Sequence, residues 1–383
     1  MAQEAHGRAP AAPLVSDVVA LIEELAPPEL AEPGDRIGFM LGDPGALLTR
    51  VLFALDLTSA VLEEAVQAGA GLLVLHHPPP WAVLDRATLD RPAGRLLCGA
   101  VRAGLAVYVA HTNWDWAPRG VADALARRLA LADPRPLVVA GTHPHYKLVV
   151  FVPKGYEDAV RDAMAEAGAG WIGKYSHCTF MAPGTGTFKA QEGAQPFLGR
   201  VGELEKAEEH RLETIVPRAA LPRVLQAMRA AHPYEEVAYD VYRLENPGVP
   251  WGRGRVGRLA RPCTLGELAD RVKAVLGVDR VRLVGGPGVE VRILACTPGR
   301  LVPGGLEAAR AQGAEALVVG EARYAEVLEA AEAGLGLIEA GHYATEAVGL
   351  SVLASLVQDR LVERGFSAQA TVSAAGRDPV RCL

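Results

Sequence analysis

Short apolar runs alternate with stretches rich in Ala, Glu and Arg in the first part of the chain. "RVLFALDLT" is followed by "SAVLEEAVQAG", "AGLLVLHH", "GRLLCGAVRAG" and "LAVYVAHT". The runs are too short for helices and the intervening stretches carry helical spacing, so the order predicts βαβαβ. Because the strands are apolar throughout rather than at every second position, both of their faces are buried. That predicts a mostly parallel sheet covered by helices. The pattern stops near "AGTHPHY" and resumes after "ENPGVPWGRGRVGRL", whose Pro, Gly and Arg content predicts a linker.

Between these points, over residues 145–245, the pattern repeats itself. "FVPKGYEDAVRDAMAEA" from Phe151 and "IVPRAALPRVLQAMRAA" from Ile215 align without gaps. Val152 and Pro153 match Val216 and Pro217, Val160 matches Val224, and Ala163-Met164 matches Ala227-Met228. Each copy predicts a strand, a Pro break and a helix, followed by a further strand: "CTFMA" after the first and "EEVAYDVYRL" after the second. Two such copies predict a ferredoxin-like βαββαβ domain. The flanking parts echo each other as well, 63–75 with 307–319 and 103–115 with 333–345. The fold class expected is α/β: a core of two similar α/β halves, residues 1–144 and 246–383, with a ferredoxin-like α+β domain inserted at 145–245.

Composition narrows the partners. The chain has 383 residues, half of them apolar, and a net charge of -6 with no basic run. Nucleic acid is therefore not an expected partner. No apolar run approaches a membrane span and "MAQEAHGRAPAAP" lacks the pattern of a signal peptide, so a cytoplasmic location is expected and no membrane. Cys98, Cys178, Cys263, Cys296 and Cys382 are widely separated and form no C-x-x-C pair. They predict buried small side chains rather than a disulfide or thiolate zinc framework.

Three strand ends hold residue types that ligate metals: His76-His77, then His111 and Asp115 in "AHTNWDW", then His342 and Glu346 in "AGHYATE". The carboxyl edge of an open α/β sheet is where loops and helix N-termini converge on a ligand. His342 and Glu346 are four apart and share a face if a helix begins there. Any one pair also suits a surface histidine or a helix-cap carboxylate; three at equivalent strand ends point to a metal. Imidazole and carboxylate donors without sulfur suit Zn, Mn, Fe, Co or Ni. Five ligands exceed one open tetrahedral ion and fit a two-metal site. "GTGTFKA" (184–190) lacks the phosphate-loop pattern and predicts a β-turn region, and "LVGGPGV" (283–289) predicts a Gly/Pro turn. Trp81, after the three prolines that follow His77, predicts packing.

"VLHHPPPW", "VAHTNWDWAPRGVADALA", "GLIEAGHYATE" and "GDRIGFMLGDP" together resemble the Nif-three-like family, whose members are labelled GTP cyclohydrolase 1 type 2 homologs. "AHPYEEVAYDVY" and the segment from Val152 resemble the insert of its longer members. The resemblance implies an α/β core binding two divalent metal ions per chain, an insert similar to PII and CutA, and a homohexamer built of two trimers. It implies metal ligands at His76, His77, Asp115, His342 and Glu346, and assigns His111 and Glu321 a supporting or proton-transfer role, here taken as catalytic. Two departures fall beside the substrate: Ala325 where many members have histidine, and "CTPGRLVP" (296–303) where many have a Gly/Ser-rich loop.

Two functions are open at this point. One is a metal-dependent hydrolase of a nucleotide, phosphoester or other small cyclic substrate, with scattered Arg119, Arg253, Arg255 and Arg323 as the available cations. The other is a non-enzymatic metal carrier, scaffold or regulator.

Overall fold

The alternating elements of the first part form as expected in a computed structural model, which describes residues 11–83 and 86–381. β1 (Gly38–Leu41), β2 (Arg50–Ala54), β3 (Leu72–Leu75) and β4 (Ala106–Val109) are joined by helices Ser59–Gln67, between β2 and β3, and Pro92–Arg102, between β3 and β4. Thr58 starts the first of these helices, its hydroxyl accepting from Val61 N–H at 3.2 Å. Every residue of β3 and β4 is buried, which is why they lack polar alternation.

The later strands are β5 (Leu131–His143), β6 (His145–Pro153), β7 (Thr179–Lys189), β8 (Leu204–Pro217), β9 (Tyr239–Arg243), β10 (Val249–Thr264), β11 (Arg282–Val284), β12 (Glu290–Arg300), β13 (Ala316–Glu321), β14 (Gly336–Glu339) and β15 (Gln369–Val372). The chain divides into two compact units. One runs to Ala140 and resumes at Trp251; the other is Gly141–Pro250.

In the first unit a five-stranded sheet has the order β1-β4-β3-β2-β15 and a six-stranded sheet the order β11-β14-β13-β12-β10-β5. The internal echo of the sequence is also an echo of register. Leu72 lies opposite Ala106 in the parallel β3–β4 pair, and their sequence equivalents Ala316 and Gly336 lie opposite each other in β13–β14. β1 and β11 then add antiparallel to β4 and β14. Helix His342–Glu363 touches strands of both sheets, β2 and β15 of one and β12 and β13 of the other. Its buried Leu353, Ala354, Val357 and Leu361 join Val51, Phe53 and Val74 in one core cluster. A helix buried on more than one side needs no polar face, and this one begins with the site residues His342 and Glu346.

The second unit follows β6-helix-β7-β8-helix-β9, with the strand order β7-β8-β6-β9 and every neighbour antiparallel. The repeated Val152/Val216, Val160/Val224 and Met164/Met228 are buried together in its core. The repeat in the sequence is thus a repeat of core positions.

Two local expectations are corrected. "ENPGVPWGRGRVGRL", expected as a linker, supplies most of β10. Its glycines answer to a close neighbour: a Cβ on Gly252 would lie 2.1 Å from the Val138 carbonyl oxygen of β5. "GTGTFKA", expected as a turn region, lies in β7 up to Lys189, with Thr185 opposite Glu208 and Thr187 opposite Lys206. Among the cysteines of the described residues only Cys296 is buried; Cys98, Cys178 and Cys263 are half-buried, and Cys382 is outside the described residues.

Candidate metal centre

The carboxyl ends of β3, β4 and β14 deliver the site. His76 and His77 continue the β3 ladder by one step, their N–H groups donating to Ala54 O at 3.0 Å and Leu55 O at 2.9 Å. Beyond β4 the chain turns at His111 into the short helix Thr112–Trp116, which carries Asp115. After β14, Gly341 takes φ +93°, a conformation that favours glycine, and the long helix starts at His342. Glu346 follows one turn later on the same face. Trp81 is buried in the core cluster that also holds Leu75 and Val109, a packing role.

These side chains meet. The ring centroids of His76, His77 and His111 lie 5.1–5.6 Å apart, and those of His77 and His342 5.3 Å apart. Two groups are close enough to hold a metal ion: His76, His77 and His111, and His77, His342 and Glu346. Glu346 Oε2 lies 2.9 Å from His77 Nε2, 3.1 Å from His342 Nε2 and 3.9 Å from His76 Nε2, while Asp115 Oδ1 lies 3.5 Å from His76 Nε2. His111, expected in a supporting place, therefore stands among the ligand-type histidines. Glu321 is more exposed, with Oε1 3.2 Å from His342 Nδ1.

The four imidazoles share one orientation. Each turns Nδ1 to an acceptor: His76 to Ala110 O at 3.0 Å, His77 to Asp56 Oδ1 at 2.7 Å, His111 to Asp35 at 2.9 Å, His342 to Glu321. An acceptor at Nδ1 holds the proton there and leaves the Nε2 lone pair of a neutral ring facing the centre. For His76 that lone pair faces the Asp115 and Glu346 carboxylates, acceptor against acceptor. His76 Nε2 and Asp115 Oδ1 are buried without a hydrogen-bond partner, and the equally buried Glu346 Oε2 has a donor only where the His77 or His342 ring carries a second proton. Unpartnered acceptors converging in a buried space fit a cation and little else.

The proton affinities follow from this crowding. Burial pushes His76 down to about 3, so the ring stays neutral. His77 overcomes its burial because the Asp56 and Glu346 carboxylates flank it, and rises to about 10. Burial pushes the Asp115 carboxyl well above its usual range, with Glu346 adding to the rise, while the histidines around Glu346 outweigh its burial and hold it well below. Asp35, though partly buried, is held down to about 2 by hydrogen bonds from His111 and Thr112.

Asp56, Asp35 and Gly299 were not singled out from the sequence. Asp56 ends "FALD", just past β2, a fourth strand end of the kind that marked the histidines. Asp35 lies 76 residues from its partner His111 and gave no local signal. Gly299 packs so closely that a Cβ would lie 1.9 Å from Glu346 Oε1. Of the four arginines noted earlier, Arg255 is buried and bonded to Asp123, Arg253 pairs with Glu32 at 3.0 Å and stacks on Trp116, and Arg323 pairs with Glu326.

Residues 13–379 match the Duf34/NIF3 (NGG1p interacting factor 3) family. The chain belongs to that family. A Bacillus subtilis relative named GTP cyclohydrolase 1 type 2 homolog is 41% identical over 332 residues, 85% of this chain and 87% of its own. One of the same name from Halalkalibacterium halodurans is 39% identical over 94% of this chain and 97% of its own. The crystal structure of a Bacillus cereus protein related to NIF3 superposes with a TM-score of 0.82 at 37% identity, covering 97% of this chain and 99% of that one. The mixed α/β architecture with several sheets is that of these NIF3 relatives. Among the described residues no helix is long and apolar enough to cross a membrane.

Proposed function

We propose that His76, His77, Asp115, His342 and Glu346 hold two divalent ions drawn from Zn, Fe, Mn, Co and Ni, and that this NIF3-family chain is a metal-dependent hydrolase of a nucleotide, phosphoester or small cyclic substrate. The observation that carries this reading is the shared anchoring of the four imidazoles, Nδ1 held outward, with the Nε2 atoms of His76, His77 and His342 turned onto the buried Glu346 carboxylate. Divalent ions held there would supply Lewis acidity and acidify water toward neutral pH. His111, anchored by Asp35, is placed to accept a proton at Nε2, and Glu321 orients the His342 ring. The name carried by the relatives suggests GTP as substrate. Pairing of Arg253, Arg255 and Arg323 with acidic residues favours a substrate with fewer charges than a triphosphate.

The test is turnover by metal-loaded protein against a panel of phosphoesters, nucleotides and GTP, with His77→Ala and Asp115→Ala beside it. Turnover lost in both variants supports the hydrolase. Turnover that survives both sinks it. The same arginine pairing also suits a second reading, a non-enzymatic metal carrier, scaffold or regulator. That reading gains if metal content depends on the five residues and no substrate is consumed.

The wider expectations belong to the same proposal: a cytoplasmic homohexamer of two trimers, with core parts 1–144 and 246–383 and a PII/CutA-like insert at 145–245. The strand order and alternating directions of the second unit support a ferredoxin-like insert of that kind. Light scattering on the purified protein tests the assembly, a hexamer mass supporting it and a monomer overturning it.

A further inference from the structure

Phe188, Phe197 and Tyr234 wall a cavity of about 790 Å³ that lies wholly within the Gly141–Pro250 unit. Its size is that of a small-molecule pocket. The Phe188 and Phe197 centroids lie 5.9 and 6.1 Å from that of Tyr234. Set in this wall is Glu209, only 8% exposed. Its Oε1 accepts from the Tyr234 hydroxyl at 2.9 Å, and among the described residues no cation is paired with it. The adjacent His232 does not supply one: burial lowers its proton affinity, Nε2 donates to Phe151 O at 3.0 Å and Nδ1 accepts from Tyr234 N–H at 3.1 Å, the pattern of a neutral ring. Arg211, which also lines the cavity, is drawn 3.0 Å from Glu213.

A largely buried carboxylate whose one side-chain donor is a neutral hydroxyl keeps acceptor capacity for a ligand. The fold makes room for it deliberately, since a Cβ on Gly186 would lie 2.1 Å from Glu209 Oε2. With Glu209, Glu235 and Glu236 against Lys189 and Arg211, the lining carries a net negative charge, which disfavours an anionic occupant. We propose that this cavity binds a flat aromatic cation, of the amidine or amino-heterocycle class, whose N–H groups pair with Glu209 while its ring packs among Phe188, Phe197 and Tyr234. A planar N–H fork matches a carboxylate, and aromatic faces attract a cation.

Benzamidine is a minimal probe of this class, with benzoate and benzamide as controls of the same shape, titrated calorimetrically into the full chain. Benzamidine is expected to bind, benzamide at least tenfold more weakly and benzoate not at all. E209Q keeps the volume and removes the charge; G186A keeps the charge and displaces it. Each is expected to weaken benzamidine at least tenfold, so either variant decides the matter if the other fails to fold. His77→Ala, at the metal centre, is expected to bind benzamidine as the parent does. The proposal is overturned if benzamidine fails to bind, if benzamidine and benzoate bind alike, if the folded Glu209 and Gly186 variants bind benzamidine unchanged, or if His77→Ala abolishes the binding.

Discussion

Glu346 sits where the Nε2 atoms of His77 and His342 come within 2.9 and 3.1 Å of one carboxylate oxygen, and this fixes what the metal-free site must do with its protons. His77, raised to about 10 between Asp56 and Glu346, holds a proton on the nitrogen an ion would need. Metal and proton therefore compete, and each bound ion that takes His77 releases one proton. Metal affinity is expected to rise about tenfold per pH unit across the range below about 10, measured by competition with a chelating dye at several pH values; a flat profile contradicts it. The sign for stability is opposite. A raised histidine stabilises the metal-free fold below its unfolded value near 6.5, and that contribution is lost as pH rises through 10, so thermal melts of metal-free protein should fall over this window. The outward anchors carry a separate expectation: Asp56→Asn should weaken metal binding by about 10- to 100-fold with the fold intact, because Asp56 holds the His77 ring by a 2.7 Å contact.

At the scale of elements, the last residues of β12 pack against the base of the site. Gly299 has φ +60° and its Cβ position falls 1.9 Å from Glu346 Oε1. Gly299→Ala adds a left-handed penalty of about 1–2 kcal/mol and displaces the carboxylate. Metal content measured by elemental analysis should fall well below that of the parent, while circular dichroism keeps the α/β signature; full metal content would show that the strand end yields instead. This contact also marks where the sequence stopped being legible. His76, His77, Asp115, His342 and Glu346 stood out because each follows an apolar run whose end is visible in the chain. Asp35 and Gly299 owe their places to tertiary packing across long separations, which leaves no local pattern. β10 was hidden for a related reason. Its glycines are there because β5 passes too closely for side chains, and in sequence such glycines look the same as those of a linker.

For the whole molecule, equivalent strands in two sheets and one helix touching both mean that the centre is assembled from parts far apart in the chain, His76 at one end and Glu346 at the other. The unit between them need not share in that assembly. β5 and β10 are neighbours in the six-stranded sheet, so the chain leaves and re-enters the first unit along adjacent strands. The close approach of Gly252 to Val138 and Ala140 places the two strand ends within reach of a tight turn. Replacing residues 141–250 with Asn-Gly, a pair that closes two-residue hairpins, should therefore leave a protein that folds and binds metal at His77 and Glu346. Its cooperative melt and metal equivalents per chain, compared with those of the full protein, are the measurements. A shortened chain that melts cooperatively and loads metal makes the first unit an autonomous domain. One that aggregates, or that folds and takes up no metal, would mean the centre depends on residues of the second unit.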